Sequence, residues 1–222
     1  MIYDLQMKKW LNIGFLMLLS GMIFAQSKTI EFTVEGMTCG NCANTVQQAL
    51  TKLEGVENAT VDFPTKKATV VAKNVTHEQL RKTVADANFE AIFSGEEMVK
   101  PLSDEDKKRV DIETIKGGNK IKIKDHLTEG KITIFDFYAD WCGPCRVFSP
   151  KVEQMLLRHK NLVLKKVDVV SWKSSLSKQL TKEYQFPALP FTLIFDDKGN
   201  LLGRVEGNHI EQVEEIIKSN MK

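Results

Sequence analysis

Two small domains that mix helix and strand are predicted. The first is an α+β unit of order β-α-β-β-α-β, and the second an α/β unit with a central mixed sheet flanked by helices. Three observations predict them. Alternating apolar residues broken by two helical stripes fill residues 28–95. A charge-rich stretch over 96–117 follows. From 118 to 222 strands and helices alternate early and a hairpin comes late, which places helices on both faces of one sheet. The 222 residues leave room for two units, at about 100–150 residues per domain. With 42% hydrophobic and 27% charged residues, a mostly disordered chain is excluded. Net charge is +2, and +1 without Asp4, Lys8 and Lys9. No basic face is concentrated on either unit, so no nucleic-acid partner is expected.

The first 25 residues read as an export signal. Lys8 and Lys9 form a positive start, Trp10 to Phe24 is apolar, and Ala25 offers a small residue before a cleavage ahead of Gln26. The run is short for a spanning helix, which wants about 20 residues. An uncleaved membrane anchor is the alternative, and the missing cysteine argues against a lipoprotein. The expected compartment is extracytoplasmic, a bacterial periplasm or the outside. There an upstream membrane thiol reductant must keep any working dithiol reduced.

In the first unit, Ile30, Phe32 and Val34 alternate with polar residues as in a strand with one buried face. Gly36-Met37-Thr38-Cys39-Gly40-Asn41-Cys42 follows, then Val46, Ala49, Leu50 and Leu53 at helical spacing. Val56 to Phe63 and Ala68 to Ala72 read as strands around a turn at Pro64-Thr65-Lys66-Lys67. Thr76 and Gln79 have the spacing of a capping box. Leu80, Val84 and Ala87 stripe the helix it starts, and Glu90 to Ser94 closes the unit. This order is the ferredoxin-like split unit. Cys39 and Cys42 fall in a strand-to-helix loop, close enough to clamp one soft ion. Two thiolates suit linear Cu(I) or Hg(II) better than tetrahedral Zn(II). A static disulfide and a second redox pair are the other readings. The motif resembles that of the heavy-metal-associated domains of copper chaperones and metal-pumping ATPases, over about Lys28 to Ser94. The resemblance implies that Cys39 and Cys42 bind metal, that Met37 packs in the core, and that Phe89 lies near the ion.

The stretch from Gly95 to Gly118 reads as a solvated tether. Over about 15–20 flexible residues it would span roughly 20–25 Å, and so hold the two Cys-x-x-Cys sites at millimolar effective concentration. Ile112 and Ile115 leave its far end open to the second unit.

The second unit is organised around Phe137-Tyr138-Ala139-Asp140-Trp141-Cys142-Gly143-Pro144-Cys145. An apolar strand feeds a Cys-x-x-Cys that starts a helix. Cys142 then sits at the first turn, where free N–H groups and the helix dipole favour a thiolate. Cys145 is placed to resolve a mixed disulfide. Asp136, between Phe135 and Phe137, is placed as a buried proton acceptor. Beyond the centre, Leu162 to Val167 reads as a strand, Ser174 to Tyr184 as a helix and Phe191 to Phe195 as a strand. A turn at Asp196 to Asn200, the strand Leu201 to Val205 and a helix carrying Ile210, Val213, Ile216 and Ile217 complete the unit.

Trp141-Cys142-Gly143-Pro144-Cys145 resembles the active-site pentapeptide of thioredoxins, and the likeness runs from about Lys120 to Lys222 and implies a thioredoxin fold. It implies that Asp136 exchanges a proton with the inner cysteine and that Pro150 kinks the active-site helix. It also makes Pro190 a cis-proline that holds substrate, with Gly207 lining the groove and Trp141 as an active-site wall. Phe191 departs from the threonine usual after that proline, which bears on substrate preference rather than chemistry. The Gly-Pro pair between the cysteines is the choice of reducing members. The reading is a monomeric, exported protein-disulfide reductase with a soft-metal unit, acting on disulfide-bearing clients and, by extension, on copper-handling proteins. The alternative is a metal chaperone or resistance scavenger built on Cys39 and Cys42, with the second unit as a docking module.

Overall fold

A computed structural model describes residues 26–221. The leader expected over residues 1–25 lies outside them. Among the described residues no helix is long and apolar enough to cross a membrane.

The first unit is built from β1 (Lys28–Glu35), α1 (Gly40–Thr51), β2 (Val56–Asp62), β3 (Lys67–Ala72), α2 (His77–Asp86) and β4 (Glu90–Ile92). Its antiparallel sheet has the order β2-β3-β1-β4. The two-residue period of β1 turns Phe32 and Val34 inward. They meet Ala43, Val46 and Leu50 of α1 and Leu80 and Val84 of α2 in one core, which also takes Met37 and Phe89. The capping box forms as the spacing predicts. Thr76 Oγ1 accepts from Gln79 N at 3.2 Å, and Thr76 N donates to Gln79 Oε1 at 2.9 Å.

The tether reading is corrected over much of its length. Glu96 closes the first unit by pairing with Arg81 at 2.8 Å and accepting from Phe93 N. By Lys100, whose carbonyl accepts from Gln154 Nε2 at 3.1 Å, the chain is already held by the second unit. Leu102 is buried, and its N–H donates to Glu153. Ser103 caps the single turn α3 (Asp104–Lys107), and β5 (Asp111–Ile115) pairs parallel with the second sheet. The charge-rich composition hid this because β5 is an edge strand. Only Ile112 and Ile115 turn partly inward, and its charged residues include Glu113, held by Lys165 at 2.7 Å.

The second unit continues with a 3-10 turn (Ile123–His126), β6 (Ile132–Tyr138), α4 (Gly143–Arg158), β7 (Leu162–Asp168), α5 (Ser175–Tyr184), β8 (Phe191–Phe195), β9 (Leu201–Glu206) and α6 (Ile210–Asn220). The sheet order is β5-β7-β6-β8-β9, with β5, β7 and β6 parallel and β8 and β9 antiparallel. Strand alternation sorts its two faces. Phe135, Phe137 and Val167 meet Leu176 and Leu180 of α5. Ile134 and Leu164 meet Phe148, Val152 and Met155 of α4 and Val213 and Ile217 of α6. Phe148 is therefore core.

Leu180 joins α5 to the sheet and is almost fully buried. Leu180→Ala is expected to destabilise the second unit by about 3 kcal/mol. Urea unfolding followed by the fluorescence of Trp141 and Trp172 measures it, and an unchanged midpoint would contradict this packing.

Candidate active site and metal loop

Strand β6 ends at Tyr138, and after three intervening residues the chain turns into α4 with Cys142 as N-cap and Pro144 in the first turn. Cys142 and Cys145 are joined as a disulfide. Cys142 Sγ accepts a hydrogen bond from Cys145 N at 3.2 Å, so an N–H of the first turn is aimed at this sulfur. After reduction the same N–H and the helix dipole favour a thiolate there. Cys145 is buried beneath it. The Leu189–Pro190 bond is cis, and Pro190 O accepts from Gly207 N at 2.9 Å, which fixes the Gly207 loop beside the cis-proline. Gly207 has φ +77, a backbone that favours glycine. Trp141 is half exposed, donates from Nε1 to Val170 O at 2.7 Å and leans on Trp172.

Asp136 is fully buried on the α4 face of β6. Ser149 Oγ of α4 donates to its Oδ2 at 2.5 Å, while Oδ1 has no protein partner. Burial pushes the carboxyl up to about 6, against the opposing pull of the Ser149 hydrogen bond and the Lys166 ammonium. Lys166 stands directly beside Asp136 in register on β7 and pairs with Glu153 at 2.6 Å. A cleft of about 590 Å³ runs past Cys145, Ser149, Glu153 and Lys166. It gives the inner sulfur and this charged group a shared opening to solvent.

In the first unit Cys39 is the N-cap of α1, and Cys42 lies in the first turn. Both thiols are free, 2.9 Å apart, with Cys39 exposed. Burial raises the Cys42 thiol, but hydrogen bonds from Cys39 and Thr38 outweigh it and leave the thiol below its ordinary value. Among the described residues no cluster of three or more His, Cys, Asp or Glu side chains is placed to hold an ion. The donor set is thus two sulfurs. It fits a two-coordinate soft ion and falls short of the four ligands that Zn(II) prefers.

Comparison with known proteins agrees with this division. The family model for the thioredoxins matches residues 118–219, and that for the heavy-metal-associated domain matches residues 31–90. Thioredoxin Asp f 28 of Aspergillus fumigatus is 34% identical over 93 residues, 42% of this chain and 82% of that protein. The chain belongs to the thioredoxin family. Thioredoxin H5 of Arabidopsis thaliana is 32% identical over 94 residues, 42% of this chain and 75% of the relative. Among solved structures, oxidized MerP from Ralstonia metallidurans CH34 shares 34% identity, covers 31% of this chain and 97% of its own, and has a TM-score of 0.30. A thioredoxin unit therefore follows a heavy-metal-associated unit in one chain.

Of the sequence-predicted residues of the thioredoxin unit, only Trp141 is exposed; Cys142, Cys145, Pro190 and Asp136 are buried, with Asp136 bonded to Ser149 of the helix that Cys142 begins. Cys39 and Cys42 lie in the other unit, yet the loop that carries them touches the redox turn, with Gly36 O and the Thr38 methyl against Gly143. Sequence reasoning missed Ser149, Glu153 and Lys166. Ser149 carried a signal, a small polar residue one helical turn after Cys145. The Glu153–Lys166 pair carried none, since charged residues on a helix and a strand ordinarily face solvent.

The raised Asp136 pKa has a signed consequence. The folded state holds this proton more tightly than the unfolded chain, so the contribution of Asp136 to stability is highest below about pH 4 and falls as pH rises to about 6. The loss amounts to about 3 kcal/mol at and above neutral pH. Asp136→Asn removes that loss. Its advantage over the parent in chemical denaturation should be about 3 kcal/mol larger at pH 8 than at pH 4, and a pH-independent difference would exclude the assignment.

Proposed function

We propose that the protein is an exported thiol:disulfide oxidoreductase that works as a reductase, with a soft-metal site of Cu(I) type at Cys39 and Cys42. The observation that carries the first part is Cys142 at the N-cap of α4, its sulfur facing the Cys145 N–H, with cis-Pro190 in the same unit. In the reduced protein, the Cys142 thiolate attacks one sulfur of a client disulfide. The client's other sulfur leaves as a thiolate and takes a proton. Cys145, its proton passed to Asp136 or to water in the adjoining cleft, then attacks Cys142. That step forms the Cys142–Cys145 bond and releases the second client thiol. Two electrons and two protons have moved to the client, and an upstream thiol reductant restores the dithiol. Pro190 and its backbone position the client strand, and Trp141 walls the site.

The metal part rests on two free sulfurs within reach of one ion at an exposed loop. A bound soft ion would be held by Cys39 and Cys42, and Hg(II) fits the same donors. Oxidation of this pair would destroy the site, so its own thiols, or those of a copper-handling protein, are natural clients. Export is read from the leader, Lys8, Lys9 and the apolar run to Phe24. The gene's product would then meet oxidised proteins outside the cytosol.

Reduction of insulin by the full chain, with dithiothreitol as electron source, tests the enzyme. Cys142→Ser should abolish turnover, and Cys145→Ser should accumulate a mixed disulfide on Cys142. A rate no higher than dithiothreitol alone, and unchanged in Cys142→Ser, would leave the chaperone or scavenger reading. In a Cu(I) competition with bicinchoninate, the reduced chain should withdraw one equivalent, and Cys39→Ser should withdraw none.

A further inference from the structure

The heavy-metal-associated unit sits on the client side of the redox centre. Its Gly36 carbonyl and Thr38 methyl press on Gly143, where any Cβ would collide with them, and Gly36 packs on Pro144 and Val147. At the far edge, Asn208 is buried and donates from Nδ2 to Phe89 O at 2.9 Å. The side chain of Asn88 fills the space above Gly207, the residue bonded to Pro190. Lys151 of α4 pairs with Glu90 at 2.6 Å, with 15% and 11% of their side chains exposed. The contact thus spans the Cys142–Cys145 turn and the Gly207 loop, and Cys142 keeps only 4% of its surface exposed.

We propose that the heavy-metal-associated unit is a resident cover on the client groove of the thioredoxin unit, seated within the same chain, and that a protein disulfide reaches Cys142 only when this cover lifts. The proposal rests on the oxidoreductase reading and adds what occupies the groove at rest. Three features shape the seat for this occupant. Two glycines face each other at the redox turn, so backbone meets backbone without side chains to hold the units apart. Asn208 Nδ2 is bonded across it and the Lys151 and Glu90 charges meet across it, whereas Asn208 Oδ1 is buried with no hydrogen-bond partner. The chain is anchored to one unit at Glu96 and to the other at Lys100, which leaves only residues 97–99 between the anchors. So short a hinge makes the contact intramolecular and permits a swing rather than a long excursion.

The test uses the full chain and a charge exchange outside the redox machinery. Lys151→Glu sets two like charges together and should lift the cover, and Lys151→Glu with Glu90→Lys should restore it. The first readout is the rate at which reduced Cys142 is alkylated by a maleimide carrying a poly(ethylene glycol) chain, located by peptide mapping. The second is insulin reduction with dithiothreitol. Lys151→Glu should raise both rates about tenfold or more, the least expected when a nearly buried pair becomes two like charges. The double exchange should return both toward the parent. Unchanged alkylation in Lys151→Glu, or a rise that Glu90→Lys does not reverse, overturns the cover. Restoration by mixing the two single variants would place the seat between chains and overturn it as well. Alkylation needs no turnover, so a protein that fails to reduce insulin still tests the cover while refuting the reductase reading separately.

Discussion

The junction between β6 and α4 is the constraint on which the rest of the second unit depends. A strand must end and a helix begin within a few residues, and the sulfur at the join must face the unpaired N–H groups of the first turn. β6 is buried on both faces, which is why its sequence is a nearly unbroken apolar run. Its alternation then decides what lies behind the sulfurs. Phe135 and Phe137 take the α5 side, so Asp136 must take the α4 side and enter the space under the helix that Cys142 begins. A one-residue slip of the strand would send the carboxyl to the other layer and put an aromatic ring beneath the active-site helix.

That placement draws in a wider electrostatic group. Asp136 has Ser149 on one oxygen and none on the other, and Lys166 is its neighbour across the sheet. Lys166 is in turn bound by Glu153, whose second oxygen accepts from Leu102 N at 3.3 Å. The chain between the units is therefore hydrogen-bonded to the residue that holds the cation beside Asp136. Movement of this segment and the charge state behind the redox centre share one carboxylate. A swing about residues 97–99 leaves that bond intact, whereas release of the chain beyond Leu102 would free Glu153 and loosen Lys166.

Much of this architecture was legible in the sequence, because its strongest signals are local. The two Cys-x-x-Cys turns, the Thr76–Gln79 capping box and the period-two strands each depend on residues a few positions apart. What stayed hidden depends on distant partners. β5 alternates weakly because an edge strand buries little, and its pairing with β7 is visible only once the sheet is assembled. Asn208 reads as a loop residue until Phe89, far away in the chain, supplies its acceptor. Lys151 and Glu90 each look like solvated charges, and only the approach of the units makes them a pair.

The chain uses one motif twice, and the surroundings make the two copies different instruments. Both outer cysteines are N-caps of helices that follow a strand. At Cys142 the Cys145 N–H is bonded to the sulfur, the site is nearly closed and the pair is a disulfide, on a helix whose Ser149 is bonded to the buried Asp136. At Cys39 no side-chain cap bond forms, the sulfur is exposed and the pair is free. A closed pair at a helix start favours exchange of electrons, because charge that develops on sulfur is met by fixed dipoles. An open pair favours a ligand taken up from solvent. The same four-residue spacing therefore sits in two different surroundings, one buried and hydrogen-bonded at the sulfur and one open. With Gly36 and Gly143 in contact, the open pair's loop lies against the closed pair's turn.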